Sequence, residues 1–316
     1  MKLALAGDTM LGRAVAEGLR RRPSQSLVED ELADITRAAD LFVLNLECCI
    51  SDRGEPVPKA FNFRAPPSAV ETLLHLGVGC VTLANNHALD YGVTALLDTF
   101  EQLRAAGIAW AGAGENTEEA RRPVVVQGLP IVAFADHEPG FAAGPDRAGI
   151  AFADIRQGVP DWLRELVPGA LVCPHWGPNK EASPLPHLRV AARALRDAGA
   201  ALVAGTSAHV FHGVERNVLY DLGDFLDDYA VDPVLRNDLG LLFLVELEPE
   251  GPRRIEAVPL KLEFAYTRLA RGEEAAWIRQ RLSVACSSFG TQVVEQDRRF
   301  VIAPDSLVFG RGARVR

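Results

Sequence analysis

The chain has 316 residues, of which 48% are hydrophobic and 24% are charged, and its formal net charge at neutral pH is −9. This composition predicts a folded protein of one large domain or two modest ones. The acidic balance argues against non-specific nucleic-acid binding, which depends on Lys and Arg at the phosphates. No stretch approaches the ~20 apolar residues of a membrane span, and the N-terminal apolar run is too short for a signal peptide. We therefore expect a cytoplasmic protein with no integral membrane segment.

The five cysteines show no CxxC spacing, and most of them sit in apolar runs. This usage is typical of buried, reduced thiols in a cytosolic protein rather than of a disulfide framework or a zinc site. The residues are Cys48, Cys49, Cys80, Cys173 and Cys286.

Short apolar runs alternate with longer amphipathic segments over the first two thirds of the chain. The runs are partly β-branched, as buried strands are, and the amphipathic segments end at glycines that fit helix C-caps. Strand–helix alternation predicts an α/β architecture with a largely parallel sheet. The predicted strands are residues 2–6, 41–45, 79–84, 170–174 and 201–205, and the predicted helices are residues 68–77, 93–107 and 186–199.

Beyond residue 214 the pattern changes, because apolar segments follow one another without long helices between them. This pattern predicts a second, more antiparallel sheet, with a hairpin turn at residues 248–254. A helix is predicted over residues 272–290, followed by a short tail. Residues 141–149 read as a loop that could cover a site.

Polar residues of metal-binding types directly follow each of the five predicted strands. In open α/β sheets ligands bind beyond the carboxyl ends of the strands, so we expect these side chains to share one edge. Each residue alone also fits a turn, a cap, an ion pair or a core position. Their coincidence predicts a metal site. In chain order they are Asp8, Asn45, Glu47, Asn85, Asn86, His87, His175, His209 and His212.

The donor types narrow the choice of metal. A mixture of carboxylate, amide and imidazole groups without cysteine suits Mn, Fe or Zn better than a soft metal or calcium. A carboxylate such as Glu47 can bridge two ions, and two ions about 3.5–4 Å apart can clamp both oxygens of an in-line displacement. We therefore predict two divalent ions.

At these residues the chain resembles the CapA family, named for the poly-γ-glutamate capsule synthesis protein, within the calcineurin-like metallophosphoesterase superfamily. The resemblance implies a four-layer α/β/β/α sandwich with the site at the rim of two sheets. It covers roughly residues 1–265 as one domain, on which residues 266–316 would pack as a C-terminal helix and tail. The motifs that carry it are "GDTMLGR" (7–13), "NLE" (45–47), "LANNHALDYG" (83–92), "GAGEN" (112–116), "HWG" (175–177), "HVFHGVE" (209–215) and "YDLGDF" (220–225).

The resemblance also implies which residues hold the two ions. The superfamily binds them with side chains from several strand ends, one of which is shared by both ions. The implied ligands are Asp8 for the first ion, Glu47 as the bridge, Asn86 and His175 for the second ion, and His209 as the last residue of a histidine pair.

Three departures from the family pattern stand out. Met10 occupies the place where the superfamily's first motif usually has a histidine, and a thioether is a poor ligand for a hard ion. The histidine expected just before His209 is missing, with Thr206 and Ser207 in that stretch. Either His212 compensates or one metal position is weak. We also expect no anchor in this chain, although capsule proteins of this family are often anchored to the membrane.

Five further residues have predicted roles around the ions. By the resemblance, His87 would sit beside the substrate as general acid or oxyanion stabiliser, and Asn45 is assigned to substrate binding. Lys59 and Arg64 lie on a predicted loop after Glu47 and could contact a substrate anion; the alternative is a solvated loop. Asp224 could orient a metal-binding histidine, with a plain capping or surface role as the alternative.

Three functions fit these residues. The first is a metal-dependent hydrolase that acts on a phosphate ester by attack of metal-bound hydroxide. The second keeps the metal chemistry but cleaves an amide, as in a γ-glutamyl chain. The third is a non-catalytic accessory protein of capsule or polyglutamate synthesis with a degenerate metal site, which the departures at Met10 and Thr206 motivate. All three predict a small anionic or polyanionic substrate or ligand.

Overall fold

The computed structural model describes residues 1–21 and 27–304, and this part is a mixed α/β fold. The predicted strands in the first two thirds of the chain are confirmed, with ends that differ by a few residues. The strands are β1 (Lys2–Thr9), β2 (Leu41–Leu46), β3 (Cys49–Ile50), β4 (Arg64–Ala65), β5 (Val78–Thr82), β6 (Ala109–Ala111), β7 (Ala113–Gly114), β8 (Val124–Val126), β9 (Leu129–Ala135), β10 (Gly149–Ile150), β11 (Leu171–His175), β12 (Leu202–Ala204), β13 (Val214–Glu215), β14 (Val218–Leu219), β15 (Asp224–Leu226), β16 (Leu239–Glu248), β17 (Gly251–Glu263), β18 (Tyr266–Leu269), β19 (Thr291–Gln296) and β20 (Arg299–Pro304).

The helices also follow the amphipathic pattern. Short 3-10 helices at Pro67–Ala69, Pro139–Phe141 and Ile155–Gln157 supplement them. No helix in the described ranges is long and apolar enough to cross a membrane. The α-helices are α1 (Arg13–Arg21), α2 (Asp30–Arg37), α3 (Val70–His75), α4 (Gly92–Ala105), α5 (Thr117–Arg121), α6 (Asp161–Leu166), α7 (Pro186–Asp197) and α8 (Glu273–Ser287).

Most described strands belong to two large sheets. The larger sheet has the order β19-β20-β17-β16-β1-β2-β5-β6, with β15 also paired to β1 and β18 to β17. The other large sheet has six strands in the order β13-β14-β12-β11-β9-β8. Strands β1, β2, β5 and β6 are parallel to one another, whereas β16 to β20 are antiparallel, so β1 is where the two halves of the larger sheet meet.

The six-stranded sheet buries both of its faces. On β9, Ile131 and Ala133 belong to the cluster that also contains the larger sheet, while Val132 and Phe134 belong to a second cluster. That second cluster includes Leu163 of α6 and Leu188 and Leu195 of α7. Because successive side chains of a strand point to opposite faces, one face of this sheet packs with the larger sheet and the other with helices.

The C-terminal part adds strands to the larger sheet. As predicted, residues after 214 form mainly antiparallel strands, with the turn between β16 and β17 inside the predicted hairpin, and α8 lies within the predicted helix. The prediction of a second sheet for them is wrong, because β16 pairs with β1 and the strands β16 to β20 extend the sheet of β1, β2, β5 and β6. The hairpin β19–β20 is not predicted; it pairs with β17 through Ile255 opposite Ile302. The last twelve residues of the predicted tail, 305–316, lie outside the described part.

The five cysteines, all in the described part, are buried and free. Burial raises the pKa of each thiol above its usual value; for Cys173 it raises the pKa to about 12. Such thiols stay protonated at neutral pH and pack as small apolar groups, as the sequence predicts.

The strand ends meet at one edge of the larger sheet. In the parallel register Asp8 lies opposite Asn45, and Asn45 lies opposite Thr82. On the other side of β1, Asp8 pairs with Asp224 of β15. The fold therefore places the first carboxylate, the first amide and a second aspartate side by side.

A close backbone approach fixes β1 against the segment before β15. The Asp8 amide donates to the Gly223 carbonyl at 2.9 Å. A Cβ on Gly7 would lie 1.8 Å from that same carbonyl oxygen, so a larger residue cannot fit without moving backbone. Gly7 thus allows the contact that positions Asp8.

We expect Gly7→Ala to lower the free energy of unfolding by about 1–3 kcal/mol or more, because the added methyl forces β1 away from Gly223. Denaturant unfolding of the metal-free protein measures the change. The control is Gly140→Ala, whose Cβ would meet no described heavy atom within 4 Å and which should stay within about 0.5 kcal/mol of wild type. Equal stability of the two variants would contradict the close-approach argument.

Candidate metal centre

Asp8 is fully enclosed at the end of β1 and is held by the neighbouring strand. It is 1% exposed, and Asn45 Nδ2 donates to its Oδ1 at 2.7 Å. The side-chain oxygen of Asn45, Oδ1, in turn accepts hydrogen bonds from Thr82 Oγ1 and Asn85 Nδ2, each at 3.0 Å. The Asn45 amide is therefore committed to neighbouring side chains, which favours a positioning role over the predicted contact with substrate.

Glu47 has one carboxylate oxygen with no hydrogen-bond partner among the described residues. Its Oε2 accepts from the Tyr229 hydroxyl at 3.2 Å, whereas its buried Oε1 is unpaired. This Oε1 lies 3.9 Å from His175 Nε2 and 4.0 Å from His209 Nε2. Asp8, Glu47 and His209 each offer a ligand atom within 4.8 Å of the others. These three side chains form the centre of the site.

Four histidines around this centre share one arrangement. In each of them Nδ1 contacts an oxygen of a neighbouring side chain, as is usual for histidines that bind a metal through Nε2. The Nδ1 partners are Asp90 Oδ2 for His87 at 2.5 Å, Asp136 Oδ1 for His137 at 2.7 Å, Asp224 Oδ1 for His209 at 2.8 Å, and Thr206 Oγ1 for His175 at 2.9 Å.

Asn86 and His175 meet as the resemblance implies. His175 Nε2 lies 2.9 Å from Asn86 Oδ1, so that these two implied ligands of the second ion are adjacent. Burial, followed by the neighbouring His137, lowers the pKa of His175 well below its usual value. A neutral imidazole is the form that binds a metal.

Buried carboxylates concentrate negative charge at this edge. Burial raises the pKa of Asp8, and it raises the pKa values of Glu47, Asp221 and Asp224 further above their usual range. Asp224 Oδ2 and Asp227 Oδ2 are buried without a hydrogen-bond partner in the described part of the chain. Burying several carboxylates is costly unless protons or cations compensate them. The donor set, oxygen with imidazole nitrogen, fits Mn, Fe or Zn.

His209 carries the countercharge nearest to these carboxylates. Burial alone would lower the pKa of His209, but the carboxylates of Glu47 and Asp8 outweigh it and raise the pKa. Its Nδ1 lies 3.3 Å from Asp8 Oδ2 as well as beside Asp224. One imidazolium cannot neutralise all of these carboxylates, so divalent cations would balance the remaining negative charge.

The loop after β12 has strained backbone at the site. Ser207 has φ 114° and His209 has φ 59°, a region that residues other than glycine rarely adopt. The strained turn lets the Ser207 amide donate to Asp8 Oδ2 at 3.2 Å. Ser207 Oγ donates to the Gly177 carbonyl at 2.8 Å. The loop therefore positions Asp8 and His209, while the Ser207 hydroxyl is engaged by the Gly177 carbonyl.

Met10 and His212 do not join the central group. The Met10 sulfur accepts from the Gly12 amide at 3.0 Å. His212 Nε2 lies 2.8 Å from the Glu181 carbonyl, and burial lowers the pKa of His212 to about 4. His212 Nε2 is therefore engaged, whereas its buried Nδ1 has no hydrogen-bond partner among the described residues, and its role as a replacement ligand stays a prediction.

The two predicted cations differ in position. Lys59 Nζ contacts Asp90 Oδ1 at 3.0 Å and the Asn86 carbonyl, and it lies 3.5 Å from His87 Nδ1. Arg64 instead packs its guanidinium over the Tyr91 ring. Lys59 is therefore beside His87, and Arg64 is engaged away from it.

The amino-acid sequence matches a known protein family. Residues 2–229 match the family described as bacterial capsule synthesis protein PGA_cap. The chain belongs to this family. The resemblance to CapA proteins inferred from the motifs is thereby confirmed.

Curated relatives extend the likeness beyond the family match. A probable polyglutamine synthesis accessory protein of Mycobacterium tuberculosis is 29% identical, over 96% of this chain and 94% of that protein. The PGA biosynthesis protein CapA of Bacillus subtilis is 26% identical, over 84% of this chain and 72% of its own length. The capsule biosynthesis protein CapA of Bacillus anthracis is 25% identical, over 83% and 68%.

Several residues of the site were not predicted from the sequence. Asp136 and His137 directly follow β9, an apolar run that was not counted among the strands. The rule that found the other strand ends applies to them equally well. Asp90 and Tyr229 carry no comparable signal, because their contacts with His87 and Glu47 arise only from folding.

The raised pKa values predict how pH acts on the metal-free protein. Burial, only partly offset by the Tyr229 amide, raises the pKa of Asp227 to about 6, against about 3.9 in an unfolded chain. Between these values the native state holds more protons than the unfolded state. Stability from this group is therefore complete below about pH 4 and is lost as pH rises through about 6.

Denaturant unfolding in the presence of a chelator, from pH 4 to pH 7, measures this loss. We expect the fall in unfolding free energy with pH to be smaller in Asp227→Asn, which keeps an acceptor for the Tyr229 amide. Identical pH profiles of the two proteins would contradict the assignment. Added Mn²⁺ should stabilise wild type increasingly as pH rises, because protons and metal compete for the carboxylates.

Proposed function

We propose that this member of the capsule synthesis family is a metal-dependent hydrolase with two divalent ions, manganese, iron or zinc, at the edge of β1. The observation that carries the proposal is Glu47 Oε1, a buried, unpaired carboxylate oxygen set between the Nε2 atoms of His175 and His209. A cation bound to Glu47 Oε1 would give this oxygen the partner that it lacks. We also propose the four-layer arrangement, which the packing of the six-stranded sheet on both faces supports.

The ligands divide between the two ions. Asp8 and His209 would hold the first, Asn86 and His175 the second, and Glu47 would bridge them, in keeping with their contacts. Bound ions of this kind lower the pKa of a water and stabilise the charge that develops on the reacting oxygens.

His87 is placed to act on the substrate. It stacks on Phe63 with ring centres 4.0 Å apart, and Asp90 holds its Nδ1, so Nε2 is the free nitrogen. Burial lowers the pKa of His87 despite the nearby Asp90 carboxylate. The neutral ring would offer Nε2 as an acceptor, and the negative charge of a bound substrate would favour the protonated form, which we assign to proton donation or charge stabilisation at the cleaved bond.

Lys59 supplies the positive charge that an anionic substrate needs. Its ammonium lies between Asp90 and His87 and also 5.3 Å from the ring centre of Phe141. Phe141 begins the segment predicted to cover a site, and its contact with Lys59 supports that prediction. A phosphate ester is the substrate class we propose first, because two ions with a neighbouring cation suit its three charged oxygens.

A polyanionic amide is the second candidate. Lys59 could equally bind a carboxylate, and the relatives bear names of polyglutamine and PGA synthesis. Such an enzyme would cleave a γ-glutamyl bond with the same ions. An accessory role without catalysis is the outcome if neither bond is cleaved.

The test is metal content together with hydrolysis, in wild type and Glu47→Gln. We expect two ions per wild-type chain by elemental analysis. In Glu47→Gln we expect less than one ion and turnover reduced at least about 100-fold, because the bridging charge is gone. Glu118→Gln, whose side chain is 85% exposed, is the matched control and should behave as wild type. Fewer than one ion in wild type would contradict the proposal.

The same assay separates the substrate classes. Phosphate or phenol released from an aryl phosphate supports the first candidate, and free glutamate released from poly-γ-glutamate supports the second. His87→Asn should keep both ions but lose about 10²–10⁴-fold in turnover, since its role is on the substrate. Two bound ions without turnover of either substrate would favour the accessory role.

A further inference from the structure

His137 has a ring nitrogen that its surroundings leave unused. Its Nε2 is buried and has no hydrogen-bond partner in the described ranges, whereas Nδ1 lies 2.7 Å from Asp136 Oδ1. A buried polar atom without a partner is costly and needs an explanation. An imidazole with a carboxylate on one nitrogen and nothing on the other is the arrangement of a metal ligand.

The backbone locks this pair onto the strand that carries His175. The Gly177 amide donates to both Asp136 carboxylate oxygens at 3.1 Å, and the Asp136 amide donates to the His175 carbonyl at 3.2 Å. The ends of β9 and β11 therefore hold Asp136 and His137 in a fixed position relative to His175.

The ring of His137 lies beside the ring of His175, next to the group of Asp8, Glu47 and His209 whose ligand atoms lie within 4.8 Å of one another. The ring centres of His137 and His175 are 4.9 Å apart, with their planes tilted by 42°. Two imidazoles bound to one ion through nitrogens about 2.1 Å from it, at an angle of about 100°, place their centres about 5 Å apart. The observed spacing matches this value.

The resemblance implies a histidine in the stretch before His209, so this chain is one imidazole short of the family pattern. Ser207, in the stretch where a histidine was expected, donates its hydroxyl to the Gly177 carbonyl. His212 Nε2 is engaged with the Glu181 carbonyl, and although its buried Nδ1 is unpaired in the described part of the chain, His212 is outside the group of Asp8, Glu47 and His209. Among the described histidines, His75 also has an unpaired buried Nε2, but it ends the helix before β5 and so lies at the amino edge of that strand.

We propose that His137 is a ligand of the same ion as His175 and that Asp136 is its positioning residue. The inference rests on the metal centre proposed above. His137 then supplies, from β9, the imidazole that Ser207 cannot. The second metal position is complete rather than weak.

Cobalt binding tests this assignment without any enzyme assay. Co²⁺ titration gives the number and affinity of the ions. Proton NMR of the cobalt protein shows the exchangeable ring N–H protons of bound histidines as strongly shifted signals. The variant is His137→Phe, a ring without nitrogen, which the 29% exposed side chain should accommodate. His137→Ala serves as a second variant, and His75→Phe is the matched control.

We expect His137→Phe and His137→Ala to weaken one of two ions at least about tenfold and to lose one shifted N–H signal. His75→Phe should match wild type in both respects. Unchanged affinity and an unchanged number of signals in the His137 variants would overturn the inference alone. Failure of the wild-type protein to bind Co²⁺ would instead overturn the metal centre itself.

Discussion

The charge on a few buried carboxylates is the constraint on which the rest of the site depends. Asp8, Glu47 and Asp224 are each 1% exposed or less, and burial raises all three pKa values. A low-dielectric interior does not tolerate such a group unless protons or cations compensate it. Divalent ions would compensate it at neutral pH, and the histidines directed at the same space are the ligands they require. Folding and metal binding are then linked, since the ions stabilise the state that gathers the carboxylates.

The backbone near β1 is closely packed or strained at the points where it positions these carboxylates. Gly7 allows β1 to approach Gly223, and the strained turn at Ser207 and His209 brings another strand end to Asp8. Strain at a few positions is characteristic of functional sites, where the surrounding structure holds it in place. The two large sheets thereby supply the site together: Asp8 and Glu47 follow strands of the larger sheet, whereas His175 and His209 follow strands of the smaller one.

The sequence predicted the strand ends well, because the carboxyl ends of parallel strands must meet at one edge. Asp8, Glu47, Asn86, His175 and His209 were assigned to one edge in this way, and the structure brings them close together. Contacts made across the fold were beyond such a rule. The engagement of Arg64 with Tyr91 depends on tertiary packing. The hairpin β19–β20 was missed although Phe300 and Ile302 alternate with more exposed neighbours in β20; only β19 lacks an alternating pattern. His137 could have been found, since it follows a strand that had the same pattern as the others.

The most direct test of the account is a crystal structure of the manganese-loaded protein with anomalous diffraction at the manganese edge. We predict a strong anomalous peak within about 2.5 Å of Glu47 Oε1, with Asp8 and His209 as further ligands, and a second anomalous peak next to His175. An ordered Glu47 at saturating manganese with no peak beside it would contradict the central claim. The buried carboxylates would then be compensated by protons, and the chain would be a capsule-family fold without metal chemistry.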